Sequence, residues 1–227
     1  MSSLIEIVKC EVCESKDLVG VLNLGAHPLC DDLVEFGDDR ICKEYPIDIL
    51  FCENCKTAHQ KYQVPKEDLF QFDYHYRARM TGSVLTGMKS LVQSIVDKKG
   101  SLQGLKVLDI GCNDGSLLNF FRDEGCKTVG VEPTSAASDS SHETINEFFD
   151  SAVAQRLLSE TGKFDIITFT NVFAHIEDLN GLLSNVNSVL SEDGTLVIEN
   201  HYLGAVLKTG QFDTFYHEHP RTYSEES

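Results

Sequence analysis

Two cysteine pairs stand at metal-ligand spacing: Cys10-x-x-Cys13 follows the strand-like Leu4–Val8, and Cys52-x-x-Cys55 follows the alternating Pro46–Phe51. A CxxC at a strand end folds into a tight knuckle that points both thiolates at one ion, and two knuckles complete a tetrahedral four-cysteine zinc site. Four thiolates leave no open coordination position. The expected zinc is therefore structural, supplying folding free energy to a unit too small for its own core. A redox CxxC is the competing chemistry, but it needs only one pair and usually a helix N-terminus behind it. Cys30, Cys42, Cys112 and Cys126 have no partner at ligand spacing and read as small buried apolar residues. His27, in the irregular-looking stretch 26–33, reads as a surface or packing histidine because the four cysteines already close the site.

A second chemistry-bearing stretch is KVLDIGCNDGSLLNFFRDEGCKTVGVE, residues 106–132. Lys106–Ile110 is a short β-branched and aliphatic run, Gly111 to Gly115 a turn, and Leu117, Leu118, Phe120 and Phe121 follow helical spacing. That order is a βαβ nucleotide-binding half, with Glu132 about 20 residues after the turn, placed for a ribose diol. The turn reads GCNDG and lacks the third glycine of a pyrophosphate-cradling loop. A ribose ligand without phosphate fits better, and S-adenosylmethionine is the common one. The plain alternative is an ordinary βαβ unit with an incidental glycine-rich turn.

The third stretch is GQFDTFYHEHPRTYSEES at the C-terminal end, in which Tyr216, His217, Glu218 and His219 crowd four positions. Such a density of titratable groups suits an acid–base site. Metal binding by YHEH is less favoured, since adjacent residues in an extended loop converge poorly on one ion. Tyr74, His75 and Tyr76 precede a helix and equally suit packing at a domain junction.

These groups need elements to place them. From Gly82 to Lys99 the residues Val84, Leu85, Met88, Leu91, Val92, Ile95 and Val96 form the stripe of an amphipathic helix, expected to lie across the sheet and join the zinc unit to the nucleotide domain. After Glu132 come a weak third strand at Glu143–Asn146, a helix marked by Ala152, Val153, Leu157 and Leu158, and a fourth strand at Phe164–Thr170. A helix through Leu179, Leu182, Leu183, Val186, Val189 and Leu190 then leads to a fifth strand at Thr195–Glu199. Alternation of this kind gives an α/β fold, a doubly wound Rossmann-like sheet of about five parallel strands preceded by a small four-cysteine zinc domain. Ligands in such sheets sit at the carboxyl ends of the strands, where Gly111, Glu132, Asn171 and His201 fall. The expected division is a zinc-binding domain at 1–70, a connecting segment and helix at 71–100, and a ligand-binding domain at 101–227.

Composition sets the outer bounds. Nineteen Lys and Arg against thirty-six Asp and Glu give a formal charge of −17. That field repels phosphate backbones and anionic lipid, which disfavours nucleic acid polymers and membrane surfaces as partners. The N-terminus lacks the basic start and apolar core of a signal peptide, and no apolar run approaches a membrane span, so a cytoplasmic protein is expected.

The ordered set CxxC…CxxC, YHY, LDIGCNDGSLL, GVEP, NEFF, NVFAHI and FDTFYHEH resembles the zinc-containing, S-adenosylmethionine-dependent sugar C-methyltransferases that act on nucleotide-linked 4-keto deoxysugars. The likeness covers nearly the whole chain. It implies that Asp109, Gly111, Asn113 and Gly115 line the methionine part of the cofactor, that Glu132 binds the ribose hydroxyls, and that Phe148 and Phe149 lie near the adenine. It places Asn171 and His175 toward the reacting centre. It implies a catalytic cluster of Tyr216, Glu218 and His219, with Tyr76 or Tyr74 closing over the sugar. A carbon beside a ketone becomes nucleophilic only on losing a proton, so such a site needs a base and donors for the enolate oxygen. In this reading His219, oriented by Glu218, is the base, and Tyr216 or His175 stabilises the oxygen. A core histidine at a helix start is the alternative for His175. Family members continue beyond YHEH with further strands and another domain, whereas this chain stops at Ser227, which implies a missing C-terminal part. Two other readings remain: a small-molecule O- or N-methyltransferase, and a non-catalytic zinc- and cofactor-binding fragment. A small-molecule substrate is expected in the enzymatic readings, with a monomer favoured and the oligomeric state otherwise open.

Overall fold

The computed structural model describes residues 4–30, 32–65, 69 and 75–227. The chain forms two compact units that do not follow its linear order: Met1–Phe70, Phe173–Leu179 and Asn200–Ser227 make the first, Gln71–Val172 and Asn180–Glu199 the second. The break after residue 70 coincides with the expected one, whereas residues 71–100 join the second unit and residues 173–179 and 200–227 return to the first.

In the first unit β1 (Ile5–Glu6) pairs antiparallel with β5 (Tyr62–Gln63), while β2 (Leu18–Pro28) pairs with β3 (Glu44–Cys52) and β3 with β4 (Ala58–Gln60). Alternation drives β3: Tyr45, Ile47 and Ile49 are buried, the period of a half-covered strand. β2 extends through Ala26–Pro28, a stretch expected to be irregular, because its backbone ladder with β3 continues to Glu44 despite two register irregularities. His27 lies on this strand opposite Tyr45, its ring bonded to the Leu24 carbonyl.

The second unit opens with α1 (Gly82–Lys99), then runs β6 (Lys106–Ile110), α2 (Ser116–Asp123), β7 (Lys127–Val131), β8 (Glu143–Ile145), α3 (Ser151–Glu160), β9 (Phe164–Thr170), α4 (Leu179–Val189) and β10 (Leu190–Glu199). The sheet order is β10-β9-β6-β7-β8 and every neighbouring pair is parallel. Connections turn outward from β6 in both directions, so the crevice between the carboxyl ends of β6 and β9 is the topological switch point. β6 and β9 are buried almost throughout, hence their unbroken apolar runs. α1 belongs to this unit: Val92 and Ile95 pack with Leu117, Leu118 and Phe121 of α2 and with Leu102 and Val107. Each large side chain buried there contributes roughly 1.5–3 kcal/mol. β10 begins at Leu190, earlier than expected, and its register with β9 slips between Leu190 and Thr195.

The chain then returns to the first unit with α5 (Leu203–Thr209) and β11 (Arg221–Thr222). β11 pairs antiparallel with β4, completing a four-stranded sheet in the order β11-β4-β3-β2. Leu203 is buried with Ile47, Ile49 and Ala58, and Phe215 packs against them. The small N-terminal sheet thus obtains part of its core from residues beyond 200. Among the described residues no helix is long and apolar enough to cross a membrane.

Candidate active site and metal centre

Cys10 and Cys13 flank the first knuckle, and Cys52, at the end of β3, opens the second with Cys55. Their four sulfurs lie within 4.8 Å of one another. Cys10 and Cys55 are 3.5 Å apart and Cys13 and Cys52 3.6 Å. A tetrahedral zinc with Zn–S bonds of about 2.3 Å would separate its sulfurs by about 3.8 Å, so the geometry fits one four-coordinate ion. Burial pushes the Cys10 thiol up to about 12, while the Asn54 amide beside Cys13 brings that thiol down to about 6. Bound zinc would displace the remaining protons, and with four sulfur ligands it would hold structure and leave no position for substrate. Cys112 and Cys126 are buried as expected, but Cys30 is exposed and Cys42 partly so. Both sit between β2 and β3, away from either unit's core sheet positions, and the expectation of four buried thiols is corrected to two.

In the second unit the GCNDG turn takes left-handed backbone at Gly111, Asn113 and Gly115. A Cβ at Gly111 would lie 2.3 Å from Val172, so a side chain there collides as well as straining the backbone. The N–H groups of Gly111 and Cys112 both donate to the Val131 carbonyl, which ties the turn to the end of β7. Glu132 follows directly and is buried. Its carboxylate accepts from Asn113 N–H at 3.0 Å, Thr134 N–H at 2.9 Å and Thr134 Oγ1 at 2.6 Å. A carboxylate offers about four acceptor positions. One remains among the described residues, enough for a single ribose hydroxyl. Asp109, on β6, is buried and accepts from Thr168 Oγ1 at 2.6 Å; burial, with a smaller push from the Glu132 charge, raises its carboxyl to about 7.

Asn113 does more than line the turn. Its side-chain oxygen accepts from Ala78 N–H at 3.0 Å and its amide donates to the Tyr76 carbonyl at 3.1 Å, while Asp114 accepts from Arg79 N–H at 3.0 Å. The segment 76–79 is thereby pinned on the turn, and Arg77 and Arg79 pair with Asp139 at 2.5 and 3.2 Å on its other side. Tyr76 is 44 % exposed, and burial of its hydroxyl end, with the Asp114 charge, raises its phenol. Tyr74 lies outside the described residues. Phe148 is exposed and Phe149 half-buried in the loop between β8 and α3, and Asn171 follows β9 in left-handed backbone with its N–H on the Glu199 carbonyl.

The first unit assembles the other residues. Tyr216 Oη and His219 Nε2 are 2.8 Å apart, and the two rings are tilted by 43° with centroids 4.2 Å apart. His175 and His201 flank His219 with centroid separations of 4.8 and 4.9 Å. Burial, then the charges of His175 and His201, lower His219 to about 3, so its ring is neutral at ordinary pH. His175 Nδ1 is bonded to the Glu218 carbonyl. The Glu218 carboxylate accepts Cys30 Sγ–H at 2.7 Å, and the His219 ring is held by the Tyr216 hydroxyl and by the Thr214 backbone. His217 points elsewhere, to the Tyr45 carbonyl at 3.0 Å. His201 was absent from the expected cluster; its place just past the end of β10 was the available signal.

Comparison with known proteins assigns families to both parts of the chain. Residues 76–227 match the family model described as "Methyltransferase domain" and residues 10–70 the one described as "Putative zinc binding domain". The chain is similar to C-methyltransferase NovU of Streptomyces niveus, 33% identical over 94% of this chain and 52% of that protein. It is also similar to the ubiquinone biosynthesis O-methyltransferase of Glaesserella parasuis serovar 5 (strain SH0165), 32% identical over 46% of this chain and 48% of that one. The chain thus spans about half the length of these relatives. Among solved structures, PH0226 protein from Pyrococcus horikoshii OT3 is 23% identical with a TM-score of 0.49, covering 64% of this chain and 70% of that chain. With the family model spanning residues 76–227, the chain belongs to the methyltransferase domain family, carried behind a four-cysteine zinc-binding unit.

Proposed function

We propose that this chain carries the cofactor-binding and acid–base parts of a C-methyltransferase that acts beside the keto group of a nucleotide-linked deoxysugar. The observation that carries the reading is the Tyr216–His219 pair at 2.8 Å, a neutral imidazole held against a phenol. Methylation of an oxygen or nitrogen nucleophile needs at most one proton removed from a heteroatom, whereas methylation of carbon needs an enolising base with an oxyanion donor. The 33% identity to C-methyltransferase NovU supports the same choice.

In this reading S-adenosylmethionine, when bound, supplies the sulfonium methyl that the enolate carbon takes while the C–S electron pair leaves to sulfur. Glu132 accepts one ribose hydroxyl, and the GCNDG turn with Asn171 borders the switch point at which ligands of such sheets sit. Buried and lowered to about 3, His219 gains the basicity it needs from the enolate charge that develops beside it, which favours the imidazolium. Tyr216, half-buried where His219 is buried, is the group presented to substrate. Its oxygen takes the α-proton as its own proton passes to His219 Nε2, so the pair acts as one relay. His175 stands beside that pair with its Nδ1–H on the Glu218 carbonyl, and in its protonated form its Nε2–H is the donor to the developing enolate oxygen.

The test is incubation with S-adenosylmethionine and a series of nucleotide-linked 4-keto deoxysugars, with the product located by NMR. A new methyl on the carbon α to the ketone supports the reading. Transfer to a hydroxyl would instead favour O-methylation, the chemistry named in the ubiquinone relative. Cofactor binding with no transfer to any acceptor would favour a binding module.

A further inference from the structure

The reactive pair and the metal knuckles share one hydrogen-bonded framework within the first unit. β11 sets Arg221 opposite His59, and Gln60 N–H donates to the Pro220 carbonyl at 2.8 Å. The Gln60 side-chain amide reaches further and donates to the Tyr216 carbonyl at 3.2 Å. Arg221 is 1% exposed; its Nη1 lies 2.7 Å from Glu11 Oε2 and its Nε donates to the Tyr223 hydroxyl at 3.1 Å. Glu11 stands inside the first knuckle and also accepts from the Gln63 amide at 2.7 Å. His59 Nε2 is 3.2 Å from Cys10 Sγ. From the second knuckle, the Cys55 carbonyl accepts from Ser224 at 3.4 Å and Ser227 at 3.3 Å.

We propose that Gln60 and Arg221 are positioning residues through which the two metal knuckles fix the Tyr216–His219 pair. This rests on reading that pair as the acid–base centre. A strand pairing of two residues is too short to hold its own register. A buried guanidinium that must face a carboxylate has only one place to sit, so Arg221 locks β11 and with it the residues just before it. Gln60 then fixes the backbone of Tyr216 itself. Because β4 begins three residues after Cys55 and Glu11 follows Cys10, the four sulfurs around one ion would set the position of both anchors. The metal is on this account a datum for the reactive pair as well as a fastening for a small sheet.

Gln60→Met, which keeps side-chain length and removes the amide donor, and Arg221→Lys, which keeps the charge and removes the fork, separate positioning from folding in the zinc-loaded full chain. Zinc content, S-adenosylmethionine affinity by calorimetry, imidazole 15N resonances of His219 and kcat against KM would be measured together. Both variants should retain zinc and cofactor affinity, shift the His219 resonances and lower kcat by about 10²-fold with KM little changed, the scale of an ångström-level misplacement. Parental His219 resonances in zinc-replete Gln60→Met would overturn the coupling whatever the rates. Arg221→Lys that fails to fold leaves Gln60→Met to decide. A parent that transfers no methyl to any keto-sugar would count against the acid–base reading alone, and the His219 resonances would still test the coupling.

Discussion

The cofactor turn and the reactive cluster are built in opposite ways. The turn is local: one run of sequence from β6 to Glu132 makes its own hydrogen bonds, Gly111 and Cys112 to Val131 and Asn113 to Glu132. The cluster gathers His175, His201, Tyr216 and His219 from separate segments and braces them on a metal-knuckle sheet that starts at residue 5. A local site depends on backbone conformation and on a few buried groups. An assembled site depends on whatever holds its distant segments in register. Each region should therefore fail for a different cause.

The largest difference is expected from the metal. Cys52→Ser or removal of zinc by a chelator takes away a ligand set whose apparent binding free energy is on the order of 10 kcal/mol. Hydrogen exchange should show Ile47, Ile49, Ala58 and Arg221 losing protection together, while Val107, Leu108, Ile166 and Ile167 keep theirs. Equal loss in both groups would mean that the turn does not fold independently of the cluster.

Next comes the buried carboxyl of Asp109, a feature of the local site alone. Its folded pKa of about 7 lies above the unfolded value of 3.8, so the folded state holds the proton more tightly. The resulting contribution is fully present below pH 3.8, declines through the interval and is lost as pH rises past about 7. A three-unit interval corresponds to about 4 kcal/mol. Asp109→Asn removes that dependence, so urea midpoints of parent and variant should diverge in the variant's favour from pH 5 to pH 8. Parallel midpoints across that range would place the Asp109 carboxyl in a better-solvated site.

Gly111→Ala should cost about 3 kcal/mol, from left-handed strain together with the contact on Val172. Pairing it with Val172→Ala should restore the steric part and leave about 1 kcal/mol of backbone strain. Full restoration would show that the backbone conformation costs nothing. The smallest effect belongs to Glu132→Gln, which keeps the size but replaces the oxygen that accepts from Asn113 N–H by an amide nitrogen and removes the charge offered to a ribose hydroxyl. About a tenfold rise in the dissociation constant for S-adenosylmethionine is expected by calorimetry, and an unchanged constant would take Glu132 out of the ribose contact.

The same contrast explains what could be read from the residues. GCNDG, Glu132 and the strands Lys106–Ile110 and Phe164–Thr170 were legible because periodicity and glycine placement act over a few residues. The two knuckles were legible because each CxxC is local and only their pairing is distant. β11 carries no periodic signal in two residues, and Arg221 looks like any surface arginine until Glu11, far away in sequence, is brought to 2.7 Å. Cys30 reads as buried from the sequence because nothing nearby shows that its thiol meets Glu218. His201 falls outside the expected cluster for the same reason, and nothing local shows that Leu203 and Phe215, far along the chain, fill the first unit's core.

The most direct test of the account is exchange of the α-proton of a nucleotide-linked 4-keto deoxysugar in deuterium oxide, followed by NMR with the parent protein, Tyr216→Phe and His219→Ala. The parent should wash deuterium into the position beside the ketone, and both variants should slow that exchange by about 10²-fold or more while binding S-adenosylmethionine as the parent does. Exchange at the parental rate in both variants would contradict the assignment of the Tyr216–His219 pair as the enolising centre.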